Sequence, residues 1–169
     1  SLKQLTLSKK FVTSSVTTMF CMFLNCGSLT QLDLSSFDNS KVTSMQSMFS
    51  GCSGLTQLDF SHFNTPSVTD MSFMFNGCSG LTKLDLTNFK TSRVTNMASM
   101  FYQFKALSSL DIANFDTSNV TNMSYTFSKC SSLTALDLTS FNPIKVTTMF
   151  RMFWQADHLQ TISLTPSLF

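Results

Sequence analysis

Charge is what this 169-residue chain has least of. Only 12% of its residues are charged, about half the usual share for a soluble domain. The formal net charge is +2, and no run of Lys and Arg concentrates it. That argues against nucleic acid and against an anionic membrane surface as partners. No apolar stretch approaches the ~18 residues that cross a bilayer, which argues against direct membrane insertion. There is no phosphate-binding glycine loop, no G-x-G-x-x-G and no G-x-S-x-G elbow. The two His residues, His62 and His158, stand apart from any nucleophile or carboxylate set fixed by spacing, so no catalytic residue is assigned and an enzyme is not expected. The five Cys include no Cys-x-x-Cys pair. No metal site and no cofactor are therefore expected.

What the chain has instead is a fixed echo. Leu32-Asp33-Leu34 returns every 26 residues, as Leu58-Asp59-Phe60, Leu84-Asp85-Leu86, Leu110-Asp111-Ile112 and Leu136-Asp137-Leu138. Val42-Thr43 returns in the same register from Val16-Thr17 to Val146-Thr147. A period in this range predicts stacked coils, each burying its apolar residues against its neighbours. The expected fold is an α/β repeat, a leucine-rich-repeat-like solenoid of about six 26-residue coils, with a parallel β-sheet and short helical segments. One domain, residues 1–169, is expected. The chain opens at Ser1, directly on the strand-like Leu2–Leu7. A mature or excised fragment of a longer array is the expectation.

Within one coil, Leu29, Leu32 and Leu34 read as a short strand, and strands of successive coils would pair ~4.8 Å apart. Phe37 recurs as Phe63, Phe89, Phe115 and Phe141 and fills the corner that follows. Asp38-Asn39-Ser40-Lys41 reads as a turn. Val42, Met45, Met48, Phe49 and Cys52 follow at offsets that trace one face of a helix. An extended Val-Thr step and then one to two helical turns are expected. All 11 Met residues fall in two columns of this stretch, where they read as core filler rather than as an adaptable binding face. Cys26, Cys52, Cys78 and Cys130 share one column with Phe104 and Ala156. Such a column is a buried apolar slot, and mostly free thiols are expected.

Two surface features carry what the sequence says about function. The outward residue of each strand is Asp33, Asp59, Asp85, Asp111 or Asp137, flanked by Gln31, Gln57 and Lys83. Like charges stacked at strand spacing repel, so something must compensate them. Either each Asp bonds locally and shapes a turn, or the strip binds a protein, a glycan or calcium. The second feature breaks the repeat. Helix positions that hold Gln46 and Ser50, or Ser72 and Asn76, become Phe20 and Leu24 in the first coil and Phe150 and Trp154 in the last. Apolar pairs on the outer side of both end coils read as caps, as contacts to lost flanking segments or as subunit contacts, so self-association through the end coils is one expectation. A stacked Thr column, Thr17 to Thr147, raises an ice-binding reading. Lys41, Arg93 and Lys145 beside it spoil a flat face.

The segment Val42-Thr43-Ser44-Met45-Gln46-Ser47-Met48-Phe49-Ser50-Gly51-Cys52-Ser53-Gly54-Leu55-Thr56-Gln57-Leu58-Asp59-Phe60 resembles the BspA-type leucine-rich repeat. The resemblance runs along nearly the whole chain. It departs at Phe104 and Ala156 in the Cys column, at Thr126 in the second Met column and by one inserted residue near Lys9-Lys10. The resemblance implies a cell-surface or secreted, non-enzymatic adhesion module that binds protein or glycan on host or neighbouring cells. The alternative is a structural spacer or filament subunit joined through its end coils.

Overall fold

The structure is a computed structural model that describes residues 2–8 and 10–165. Ser1 and Lys9, on which the readings of the chain start and of the inserted residue partly rest, lie outside the described residues. Equivalent positions of successive coils sit one above another. Thr18, Ser44, Asp70, Asn96, Asn122 and Thr148 are joined in a chain of parallel bridges, each to the residue one period on. The rings of Phe23, Phe49, Phe75, Phe101, Phe127 and Phe153 form a nearly parallel file with centroids 5.5–6.1 Å apart. The interior Met residues Met45, Met48, Met71, Met74, Met97, Met100 and Met123 are buried beside this file.

The α/β class with helical segments does not hold. Among the described residues there is no helix, and strand is confined to β1 (Gln4–Leu5), β2 (Gln31–Leu32), β3 (Ala135–Leu138) and β4 (Thr161–Leu164). These form two separate two-stranded parallel sheets, β1–β2 and β3–β4. The chain is a stack of turn-rich coils rather than a leucine-rich-repeat-like arch of strand and helix.

The stretch expected to be helical is a pair of tandem turns. Met48 N–H donates to Met45 O (3.1 Å) and Cys52 N–H to Phe49 O (3.0 Å). The third residue of each turn, Ser47 (φ 56°) and Gly51 (φ 76°), has the positive φ that a type II turn requires there. Every positive-φ residue described belongs to these two columns, Cys21 to Arg151 and Asn25 to Gln155. A left-handed residue at every fourth position forbids an α-helix. It also turns the amides of Met45, Ser47, Phe49 and Gly51 toward the next coil, where they donate to Asp70, Ser72, Met74 and Asn76 carbonyls at 2.7–3.0 Å. A turn that buries its first and fourth residues yields apolar offsets of three and four, the same offsets as a helix face.

Sheet pairing follows the charge column. In the β1–β2 register, extended by one residue, Asp33 meets Thr6; in β3–β4, Asp137 meets Ser163. At the junctions between these two sheets the column sets Asp on Asp, and no ladder forms. The unpaired stretch of the strand wall thus coincides with the junctions where carboxylates stack, an arrangement that disfavours strand pairing.

Candidate functional site

A groove of about 760 Å³ lies along the strand wall, over the β1–β2 pair and the two coils that follow it, within the usual size range of ligand sites. Leu5, Leu32 and Leu58 form its apolar floor, and Gln4, Gln31, Gln57, Thr6, Thr30 and Thr56 its amide and hydroxyl lining. Asp33, Asp59, Asp85 and Lys83 complete it. The groove thus gathers the strip residues of the first coils, Gln31, Gln57 and Lys83 included, whereas Asp111 and Asp137 lie beyond it.

Each carboxylate of the strip is used locally. Asp33 Oδ1 accepts the Ser35 amide (2.9 Å), and Asp59, Asp85, Asp111 and Asp137 accept those of Ser61, Thr87, Ala113 and Thr139 at 2.8–3.1 Å. These are Asx turns that curl the chain away from the strand. Hydrogen bonds from the Ser35 side chain and amide hold the Asp33 carboxyl below its ordinary value, against smaller opposing effects of desolvation and of neighbouring Asp59. The Asp59 and Asp85 carboxyls are lowered first by the Ser61 and Thr87 amides, then by their side chains. The groove therefore stays anionic down to low pH, with one oxygen of each carboxylate engaged in its turn.

The end-coil residues have different settings. Phe20 (54% exposed) and Leu24 (42%) stand uncovered on the first coil. On the last, Phe150 and Trp154 belong to a closed ring of six side chains. Tyr125 lies edge-on to Phe150 (5.4 Å) and to Tyr102 (6.4 Å). The Lys129 ammonium sits over Tyr102 (5.5 Å) and Trp154 (4.9 Å), and the Arg151 guanidinium over Phe150 (5.1 Å) and Trp154 (4.9 Å). Cations over ring faces are attracted by the ring quadrupole, so the six hold one another in place. In the sequence Tyr125 shares a repeat column with Arg151 and Tyr102 one with Trp154, and that coincidence was the signal.

One polar column escaped the sequence reading. Thr13, Asn39, Thr65, Thr91 and Thr117 are buried inside the segment read as a plain turn. Thr91 Oγ1 donates to Asp116 O (2.9 Å) and accepts from Asp116 N–H (2.8 Å), and each of the others makes the same two-way bridge to the next coil. Its 26-residue recurrence was visible. The exposed Thr column is structural too: Thr43 donates its amide (2.8 Å) and hydroxyl (3.1 Å) to Thr17 O, a pairing repeated up to Thr147 on Thr121. No buried side-chain nitrogen or oxygen among the described residues lacks a partner.

No cluster of metal-ligating side chains occurs among the described residues, and no described helix is long and apolar enough to cross a membrane. Residues 2–84 and 76–164 each match the family described as "Mycoplasma protein of unknown function, DUF285". The chain belongs to the DUF285 family. Each match spans about three coils, and together they take in both the groove and the ring. No curated protein matches this DUF285 chain.

Proposed function

We propose that this DUF285 protein is a non-enzymatic binding module, displayed at a cell surface or secreted, that adheres to a protein or glycan partner. The groove on the strand wall carries this reading. Its three carboxylates, amides, hydroxyls and single ammonium above a Leu floor suit a hydrogen-bonding protein or glycan partner better than a reacting substrate. Nothing in it pairs a nucleophile with a base. The resemblance to BspA-type repeats supports a surface location and an adhesive role.

The test is capture of extracellular-matrix proteins and of arrayed glycans on the immobilised chain. The double variant Asp59→Lys/Asp85→Lys reverses two groove charges. Loss of at least tenfold in affinity for a captured partner, with an unchanged far-ultraviolet spectrum, is the expected result. Undiminished binding by the double variant would move the site away from the groove. Capture of nothing by the wild-type chain would remove the adhesive reading.

A further inference from the structure

The groove on the strand wall is built as two rails above a floor. In the β1–β2 register Gln4 meets Gln31, Leu5 meets Leu32 and, one residue on, Thr6 meets Asp33. Gln57-Leu58-Asp59 and Lys83-Leu84-Asp85 continue the same columns by the 26-residue period. The first and third residues of each triplet are exposed, and the middle one is wholly or partly buried. One rail is therefore amide, made of Gln4, Gln31 and Gln57, and it ends at Lys83. The other begins at Thr6 and is carboxylate, made of Asp33, Asp59 and Asp85.

The groove carries a charge opposite to that of the chain around it. Three carboxylates against one ammonium give its lining a formal −2, on a chain of formal +2. Neither the three carboxylates nor Lys83 form an ion pair among the described residues. Each Asp Oδ1 accepts the amide two residues on, a bond that shapes the turn and leaves the charge in place. A cleft lined mainly by one sign of charge focuses its field and gathers the opposite sign. An anionic glycan is repelled by such a rail, and a neutral one leaves its charge uncompensated. The Leu floor selects further, because Lys and Arg lay an apolar stem along apolar surface and carry their charge at the tip.

We propose that the groove takes an extended, basic segment of a partner protein. The segment runs along the stack with its stems on Leu5, Leu32 and Leu58, its cationic tips on the Asp rail and its main chain beside the Gln rail. A cation at every second residue of an extended segment recurs every ~6.6 Å, against ~4.8 Å between coils. The flexible four-carbon stem of Lys spans that difference. Lys83 is the one like charge that the segment meets. This partner occupies the groove of the adhesive reading and rests on that reading.

Titration of the whole chain with a fluorescent peptide of alternating Lys and Ser tests this, beside its Glu-Ser counterpart and a neutral linear oligosaccharide. The Lys-Ser peptide should bind and the Glu-Ser peptide should not. Affinity should fall about tenfold or more as salt shortens the screening length from about 10 Å to about 3 Å. Asp59→Asn/Asp85→Asn keeps a side-chain oxygen for each turn and should weaken binding by about tenfold. Lys83→Gln removes the like charge and should tighten it severalfold. A Lys-Ser peptide that fails to bind wild type, or binds the double variant equally well, overturns the proposal. Oligosaccharide bound in its place, and weakened by the double variant, overturns the basic partner and leaves the adhesive reading standing. Capture of nothing from matrix or glycan array, beside an unbound Lys-Ser peptide, removes both. If the double variant loses the wild-type far-ultraviolet spectrum, Lys83→Gln decides alone, and binding no tighter than wild type overturns the proposal.

Discussion

Asp137 faces Ser163 across the β3–β4 ladder, whereas the residue one period before Asp137 is another carboxylate, Asp111. Four-residue pairing exists on the first side and none on the second. The interruption coincides with stacked carboxylates, and removing two of them tests whether their repulsion keeps the ladder from closing. The double variant Asp59→Ser/Asp85→Ser keeps a side-chain oxygen able to accept the amide two residues on. It should unfold at a higher denaturant midpoint than wild type in low salt. The gap should shrink at ionic strengths where the screening length falls to about 3 Å. Equal midpoints in low salt would leave the interrupted ladder without this cause.

The same carboxylates give stability a direction with pH. The folded-state pKa values of Asp33, Asp59, Asp85 and Asp137 lie below the ordinary 3.8, chiefly because Ser and Thr side chains and amides two residues on donate to the charged form. A depressed folded pKa contributes stability that is fully present above the ordinary value and is lost as pH falls through the folded one. The contribution should therefore hold at pH 5 and above and fade below 3.8. Carboxyl carbon titration by NMR should find Asp33 below 3.8, and Ser35→Ala should raise it by removing the side-chain donor while leaving the amide. An unmoved Asp33 midpoint in that variant would assign the shift elsewhere.

The period, the columns and the buried apolar positions were legible because stacked coils repeat every contact, and a core position is read once per coil. Val42, Met45, Met48, Phe49 and Cys52 are all buried, as their offsets require. What the offsets could not decide was the backbone that produces them. A helix and two tandem four-residue turns bury residues three and four apart alike. The deciding feature is positive φ at Ser47, Phe73, Ser99 and Tyr125, residue types that seldom adopt it. Only Gly51, Gly77 and Asn25 announced it, and a glycine or asparagine at that point also fits the end of a helix. The groove was half-legible. Gln31, Gln57 and Lys83 stood out as outward neighbours of the Asp column, but the repeat is the same at Asp111 and Asp137 and so does not mark the groove's limit at Asp85.

Thiol chemistry should sort the Cys residues by depth. All five are free; Cys52, Cys78 and Cys130 are buried, Cys21 and Cys26 only partly so. Burial pushes the Cys52 and Cys130 thiols up to about 12 and raises Cys78 as well. Their thiols donate to the carbonyls of Phe23, Phe49 and Phe101 at 3.0–3.1 Å. Because the thiolate is the nucleophile, an aromatic disulfide reagent at pH 8 should titrate no more than Cys21 and Cys26 in the native protein. It should reach all five in denaturant. Rapid native reaction of a third thiol would mean that the coils separate easily.

The two Thr columns provide a matched pair of substitutions. Thr91 is buried and bridges both the amide and the carbonyl of Asp116 in the next coil. Thr91→Val keeps the volume and strands both backbone groups. An unsatisfied buried group costs about 1–3 kcal/mol, and because the Asp116 groups are part-buried a loss of about 1 kcal/mol is expected by denaturant titration. Thr95 is exposed, and its hydroxyl shares the Thr69 carbonyl with its own amide, which stays bonded at 2.8 Å when the hydroxyl is removed. Thr95→Val should therefore change stability by no more than about 0.5 kcal/mol. Equal losses from the two variants would mean that the buried column does not clamp the coils together.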